Sequence, residues 1–214
     1  MKKETLLKHA TILATYILLV WGLYRLIFKL PDEVEELIIK PVIWLVPVFF
    51  ILRKEKMGLS SLGITGKNLF PSIYFSLGLG AFFVIEALIL NFLKHGGLSF
   101  NANIGTTPLF LSLGISFATA MSEETVFRGY IFNRVWVALE DEWLANLLTS
   151  FVWILVHLPI YVFVQQMNLA TLIVNLFLTF IFGVGSAFVF ARTKNVFSSV
   201  FLHVLWEWPI VLFR

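Results

Sequence analysis

The feature that most constrains this chain is a succession of apolar runs separated by short polar breaks. They fall at residues 10–28, 37–52, 69–93, from 108 onward, 143–164, 169–191 and 196–213. A membrane-crossing helix takes about 20 residues, so about seven such spans would use most of a 214-residue chain. The connections are too short for a separate soluble unit, and the expectation is one integral membrane domain over residues 1–214. Composition agrees: 59% of residues are hydrophobic and 14% charged, against roughly 45–50% and about 25% in soluble domains. That balance excludes a disordered tail, a low-complexity fibre and a nucleic-acid-binding arm. No cysteine is present, so disulfides and thiolate zinc sites are excluded. The first run continues to residue 28 with no small-residue cleavage site after it, and reads as a span rather than a removable signal.

The expected fold is an all-α, polytopic transmembrane helix bundle. The fourth run keeps helical periodicity through Trp136 and is broken by the acidic knot Glu140, Asp141 and Glu142. Gly183 and Gly185 in the sixth run allow close helix packing. With the N-terminus in the cytoplasm, that side receives Lys2, Lys3, Lys8, Arg53, Lys54, Lys56, Lys67, Arg128, Arg134, Arg192 and Lys194, eleven of the 16 cations. The opposite side receives Lys29, Lys94 and Arg214. This bias predicts a cytoplasmic N-terminus, and it puts the polar cavity near the cytoplasmic side.

Ionisable residues inside apolar runs cost about 2.5–3.5 kcal/mol each on insertion scales and mark functional sites. They gather in three runs: Glu123, Glu124 and Arg128 in the fourth, His157 in the fifth, His203 and Glu207 in the seventh. The adjacent Glu123 and Glu124 point about 100° apart on a helix. Arg128, four residues after Glu124, has the favourable spacing for an ion pair, which leaves Glu123 free toward a cavity. Trp153 lies one turn before His157 and is placed to restrict its rotamers. A carboxylate and two imidazoles around water form a hydrolytic set. Glu123 is the candidate general base, His157 orients the water, and His203 donates to an oxyanion. The same Glu123, His157 and His203 also read as a His2Glu metal set, so zinc stays possible, although the HExxH spacing is absent.

These residues carry a family resemblance. The stretch from Ser122 through Glu123, Glu124 and Arg128 to Gly129 resembles the EExxxR signature of the CPBP family, the CAAX proteases and bacteriocin-processing (Abi) enzymes. Trp153 to His157 is similar to its second motif, FxxxH, with Trp for Phe. Arg192 to Asn195, leading to His203 and Glu207, is similar to its third, HxxxN or HxxxD. The resemblance covers about residues 110–210, with a family-like core of 108–213. It implies an intramembrane endopeptidase of the glutamate type, needing no cofactor, acting on a membrane-associated peptide or a prenylated protein. It implies Glu123 and His157 activating water, with His203 and position 207 forming the oxyanion site. Glu207 departs from the pattern, because an ionised carboxylate only accepts hydrogen bonds. Either it stays protonated, or it orients His203, or the oxyanion site is altered.

The expected partners are membrane lipid and a peptide or lipidated protein, with no nucleic acid. Glu124–Arg128 reads as a supporting ion pair. Lys40 and Glu86 read as lone interface or packing charges, and His9 and His95 as solvated. The alternative function is a non-proteolytic membrane protein, a bacteriocin self-immunity factor or scaffold. A proton-coupled transporter fits less well, since no internal repeat is visible.

Overall fold

The computed structural model describes residues 2–99 and 108–213, with side chains at all of these except 109 and 208–213. Residues 100–107 of the polar loop and Arg214 therefore lie outside the described residues.

Every apolar run is helical. Helix α1 spans Lys3–Ile27. A short α2 (Asp32–Val34) and a π-helical turn (Glu35–Ile39) lead into α3 (Lys40–Glu55). A 3-10 turn (Leu59–Leu62) precedes α4 (Leu69–His95). Helix α5 (Leu109–Glu124), a π-helical segment (Thr125–Phe132) and α6 (Asn133–Leu139) form one uninterrupted rod. Then follow α7 (Glu142–Pro159) with a π-helical turn (Ile160–Val164), α8 (Leu169–Thr193) and α9 (Val196–Phe213). Among the described residues there is no strand. The molecule is an all-α membrane bundle. Among the described residues, four helices are long and apolar enough to cross a bilayer: Lys3–Ile27, Leu69–His95, Glu142–Val164 and Leu169–Thr193. The second run forms a helix of 16 residues, and the fourth carries the charged knot.

Local chemistry explains the breaks. The rod ends where Glu140 enters the left-handed region at φ 59°. Asp141 then caps α7, its side chain accepting from the Leu144 amide at 2.9 Å, as N-cap carboxylates do. Pro159 has no N–H to give the ladder, and the helix continues past it as the π-helical turn. Helix α9 packs against α4, α5 and α8, and α7 lies against α8. Small residues set these approaches: a Cβ on Gly183 would lie 3.1 Å from the Ser150 Cβ, and one on Gly80 would collide with Leu205. Large apolar side chains such as Ile12, Phe50, Phe82 and Phe177 face outward, the surface a bilayer covers.

Candidate active site

The rod α5–α6 builds the site around its middle. Glu123 and Glu124 diverge, one to each side, as adjacent helical positions must. Glu124 is fully buried and accepts from three groups. Arg128 Nε lies 3.2 Å from its Oε2, Ser186 Oγ donates to Oε2 at 2.6 Å, and His203 Nδ1 is 2.7 Å from Oε1. Arg128 also donates to the Gly183 carbonyl at 3.2 Å, and its guanidinium lies over the Trp153 ring, 4.6 Å from the centroid. The expected ion pair is present, with an addition. Glu124 is the group that orients His203, so that reading of Glu207 is corrected. A carboxylate only accepts, so the hydrogen is on Nδ1, and His203 turns Nε2 toward Glu123 Oε2, 3.9 Å away.

Glu123 faces a cavity of about 210 Å³, lined also by Lys40, His157, His203, Trp206 and Glu207. The structure thus brings the four expected site residues to one cavity. His157 Nδ1 is 2.9 Å from the Trp153 carbonyl. A carbonyl only accepts, so Nδ1 carries the proton and Nε2 has its lone pair free. The Trp153 indole packs against the imidazole with ring centroids 4.4 Å apart, which fixes the rotamer as the spacing predicted. Glu207 Oε2 accepts from Ser116 Oγ at 2.7 Å.

Lys40 overturns its sequence reading. It is buried rather than snorkelled to an interface. Its ammonium donates to Glu123 Oε1 at 2.7 Å and pairs with Glu36, which Thr119 Oγ1 holds at 2.6 Å. The faces of Trp21 and Trp44 enclose Nζ at 5.2 and 5.9 Å. The signal was present: Glu36 and Lys40 stand four apart, the spacing already recognised in Glu124–Arg128. His9 is corrected too, since its Nδ1 bonds Glu55 at 3.0 Å. His95 is exposed. Glu86 is half-buried on α4, outside the cavity lining. Arg25, an interruption of the first run, pairs with Glu35.

The position of the cavity is a further correction. Trp21 and Arg25 line it from the last turns of α1, Glu36 and Lys40 from the approach to α3, and Gln165 from beyond α7. It therefore lies toward the end of the bundle opposite the N-terminus. A cytoplasmic N-terminus and a cytoplasm-near cavity do not hold together. Arg128 and Arg134 are buried, so they also leave the count of loop cations. Lys2, Lys3, Lys8, Arg53, Lys54, Lys56, Lys67, Arg192 and Lys194 remain.

Among the described residues no three His, Asp or Glu side chains are grouped as a metal site.

Residues 105–209 match the family described as type II CAAX prenyl endopeptidase Rce1-like, the stretch in which the three motifs fall. No curated protein and no solved structure is similar enough to match.

Proposed function

With membership of the CAAX protease (CPBP) family, carried by residues 105–209, as premise, we propose that this membrane protein hydrolyses a peptide bond by water activated on Glu123. The substrate is a peptide or protein held at the membrane, with a prenylated C-terminal segment as the class the family description names. The observation that carries the reading is the convergence of Glu123, His157 and His203 on one cavity inside an apolar bundle.

The chemistry follows from which atoms are committed and which are open. Glu123 Oε1 is held by Lys40, while Oε2 has no protein hydrogen bond among the described residues. His157 Nε2 is an acceptor pointing into the same space. A water bound between them loses a proton to Glu123 as its oxygen attacks the carbonyl carbon. The carbonyl π pair moves onto oxygen, and His203, as the imidazolium whose Nδ1–H is held by Glu124, donates from Nε2 to that oxyanion. Collapse of the intermediate breaks the C–N bond, and the proton on Glu123 passes to the leaving amine. Every step uses groups of the chain and water, and none needs a metal.

The basic end of the bundle, carrying the N-terminus, is assigned to the cytoplasm on the positive-inside rule. The test of the reaction is cleavage of an internally quenched peptide ending in a farnesylated cysteine and three further residues, by purified protein in liposomes. Wild-type protein cuts it, and Glu123→Gln lowers kcat by about 10²–10⁴-fold, the range for a lost general base. No cleavage by the wild type, or undiminished cleavage by Glu123→Gln, would favour the non-proteolytic reading, an immunity factor or scaffold.

A further inference from the structure

We propose that Lys40 is a catalytic residue of this chain: its ammonium binds the developing oxyanion beside His203, supplying the donor that a glutamate at position 207 does not. The inference rests on the hydrolytic reading above and deepens it.

Four observations carry it. The first is place. Lys40 Nζ is on the cavity wall, 2.7 Å from Glu123 Oε1. A carbonyl attacked by water on the other oxygen of that carboxylate is therefore brought beside it. The second is capacity. An ammonium has three donors. Glu36 and Glu123 take two, and the third has no hydrogen-bond acceptor among the described residues. The third is positioning. Thr119 fixes Glu36, Glu36 fixes Nζ, and the indole faces of Trp21 and Trp44 hold the cation from the apolar side. Such preorganised donors stabilise a transition state because they need no reorganisation when charge develops. The fourth is how the neighbouring charges are engaged: Glu207 Oε2 accepts from Ser116, and Arg25, the other cation of the lining, pairs with Glu35.

Charge movement makes the arrangement selective for the transition state. In the ground state Lys40 faces an ionised Glu123. As Glu123 takes the proton from water it becomes neutral, and in the same step negative charge appears on the carbonyl oxygen. The ammonium thus loses one anionic partner as it gains another, and its attraction follows the charge from enzyme to substrate. Interactions stronger in the transition state than in the ground state raise kcat, whereas a cation that merely neutralised the carboxylates would not.

The experiment measures kcat and KM separately on the quenched farnesylated peptide for Lys40→Met, for Lys40→Met combined with Glu36→Gln, and for each with Glu207→Asn added. The double variant removes cation and carboxylate together, and it is the one read if Lys40→Met alone elutes as an aggregate. We expect kcat to fall about 100-fold, the scale of a lost oxyanion donor, with KM within about threefold. Adding Glu207→Asn, whose amide donates where the carboxylate cannot, regains at least tenfold, about 1.4 kcal/mol. A kcat within threefold of wild type, or no regain with asparagine at 207, overturns the inference. Glu123→Gln is measured alongside. If it is dead while the Lys40 variants cut normally, only the role of Lys40 falls. If it cuts normally, the hydrolytic reading falls and the inference with it.

Discussion

Two buried carboxylate clusters sit along the same rod, and they differ in what they leave open. Toward the rod's C-terminal end, the Glu55 side chain is fully enclosed. Tyr130 Oη donates to it at 2.5 Å, Arg134 Nη2 at 3.0 Å, and His9 is 3.0 Å away. Arg134 spends further donors on the Ser61 carbonyl and hydroxyl at 3.0 and 3.2 Å. Around the middle of the rod, Glu123 has one oxygen tied to Lys40 and the other facing the cavity, opposite two imidazole nitrogens. Both clusters offset the cost of buried charge by pairing. Only the second keeps lone pairs and an N–H without protein partners, and those are the atoms available to a substrate. Burial and pairing alone do not distinguish a fastener from a reactive centre; the count of unused donors and acceptors does.

The largest way to break this comparison is Glu123→Gln, with a loss of about 10²–10⁴ in kcat and a melting temperature close to wild type. The reciprocal change, Glu55→Gln, leaves Arg134 buried without its counter-charge. It is expected to destabilise the fold by about 3 kcal/mol, read by thermal or denaturant unfolding, with the kcat of the folded fraction unchanged. Acid acts on the same cluster. Burial raises the Glu55 carboxyl, but hydrogen bonds from Tyr130, His9 and Arg134 outweigh it and hold the group below its ordinary value. Its contribution to stability is therefore complete above the ordinary glutamate value, about 4.3, and is lost as pH falls through the lower value of the folded state. Melting temperature drops on acidification through that window in the wild type, and the drop is smaller in Glu55→Gln. The smallest effect is expected from Trp153→Phe. It keeps a ring beside His157 but weakens the contact with Arg128, costing about 1 kcal/mol of stability and no more than threefold in kcat.

Much of the arrangement was legible from residue spacing. The divergence of Glu123 and Glu124, the Glu124–Arg128 pair and the packing of Trp153 against His157 follow from helical periodicity, and the break at Glu140 from local turn and cap chemistry; all of these act within one segment. What escaped were contacts between segments. Lys40 reaches Glu123 across 83 positions, and Ser186 and Ser116 are ordinary polar residues until α8 and α5 bring them to Glu124 and Glu207. Lys40 was misread because a long aliphatic stem suits an interface as well as a core, and only the packed bundle decides between them. The depth of the cavity escaped for a related reason. Charge bias orients the loops, but it does not say at what height along each helix the polar residues meet.

That height has a consequence for traffic. Most of the exposed lysines and arginines gather at one end of the bundle, and the cavity lined by Arg25, Glu36, Lys40 and Gln165 lies toward the other. On the proposed reaction and orientation, water would enter and the shorter fragment would leave on the far face of the membrane, while a lipid-anchored remainder would stay in the bilayer. Cleavage would then also be an act of sorting, because the two halves of one substrate part into different compartments as the bond between them breaks.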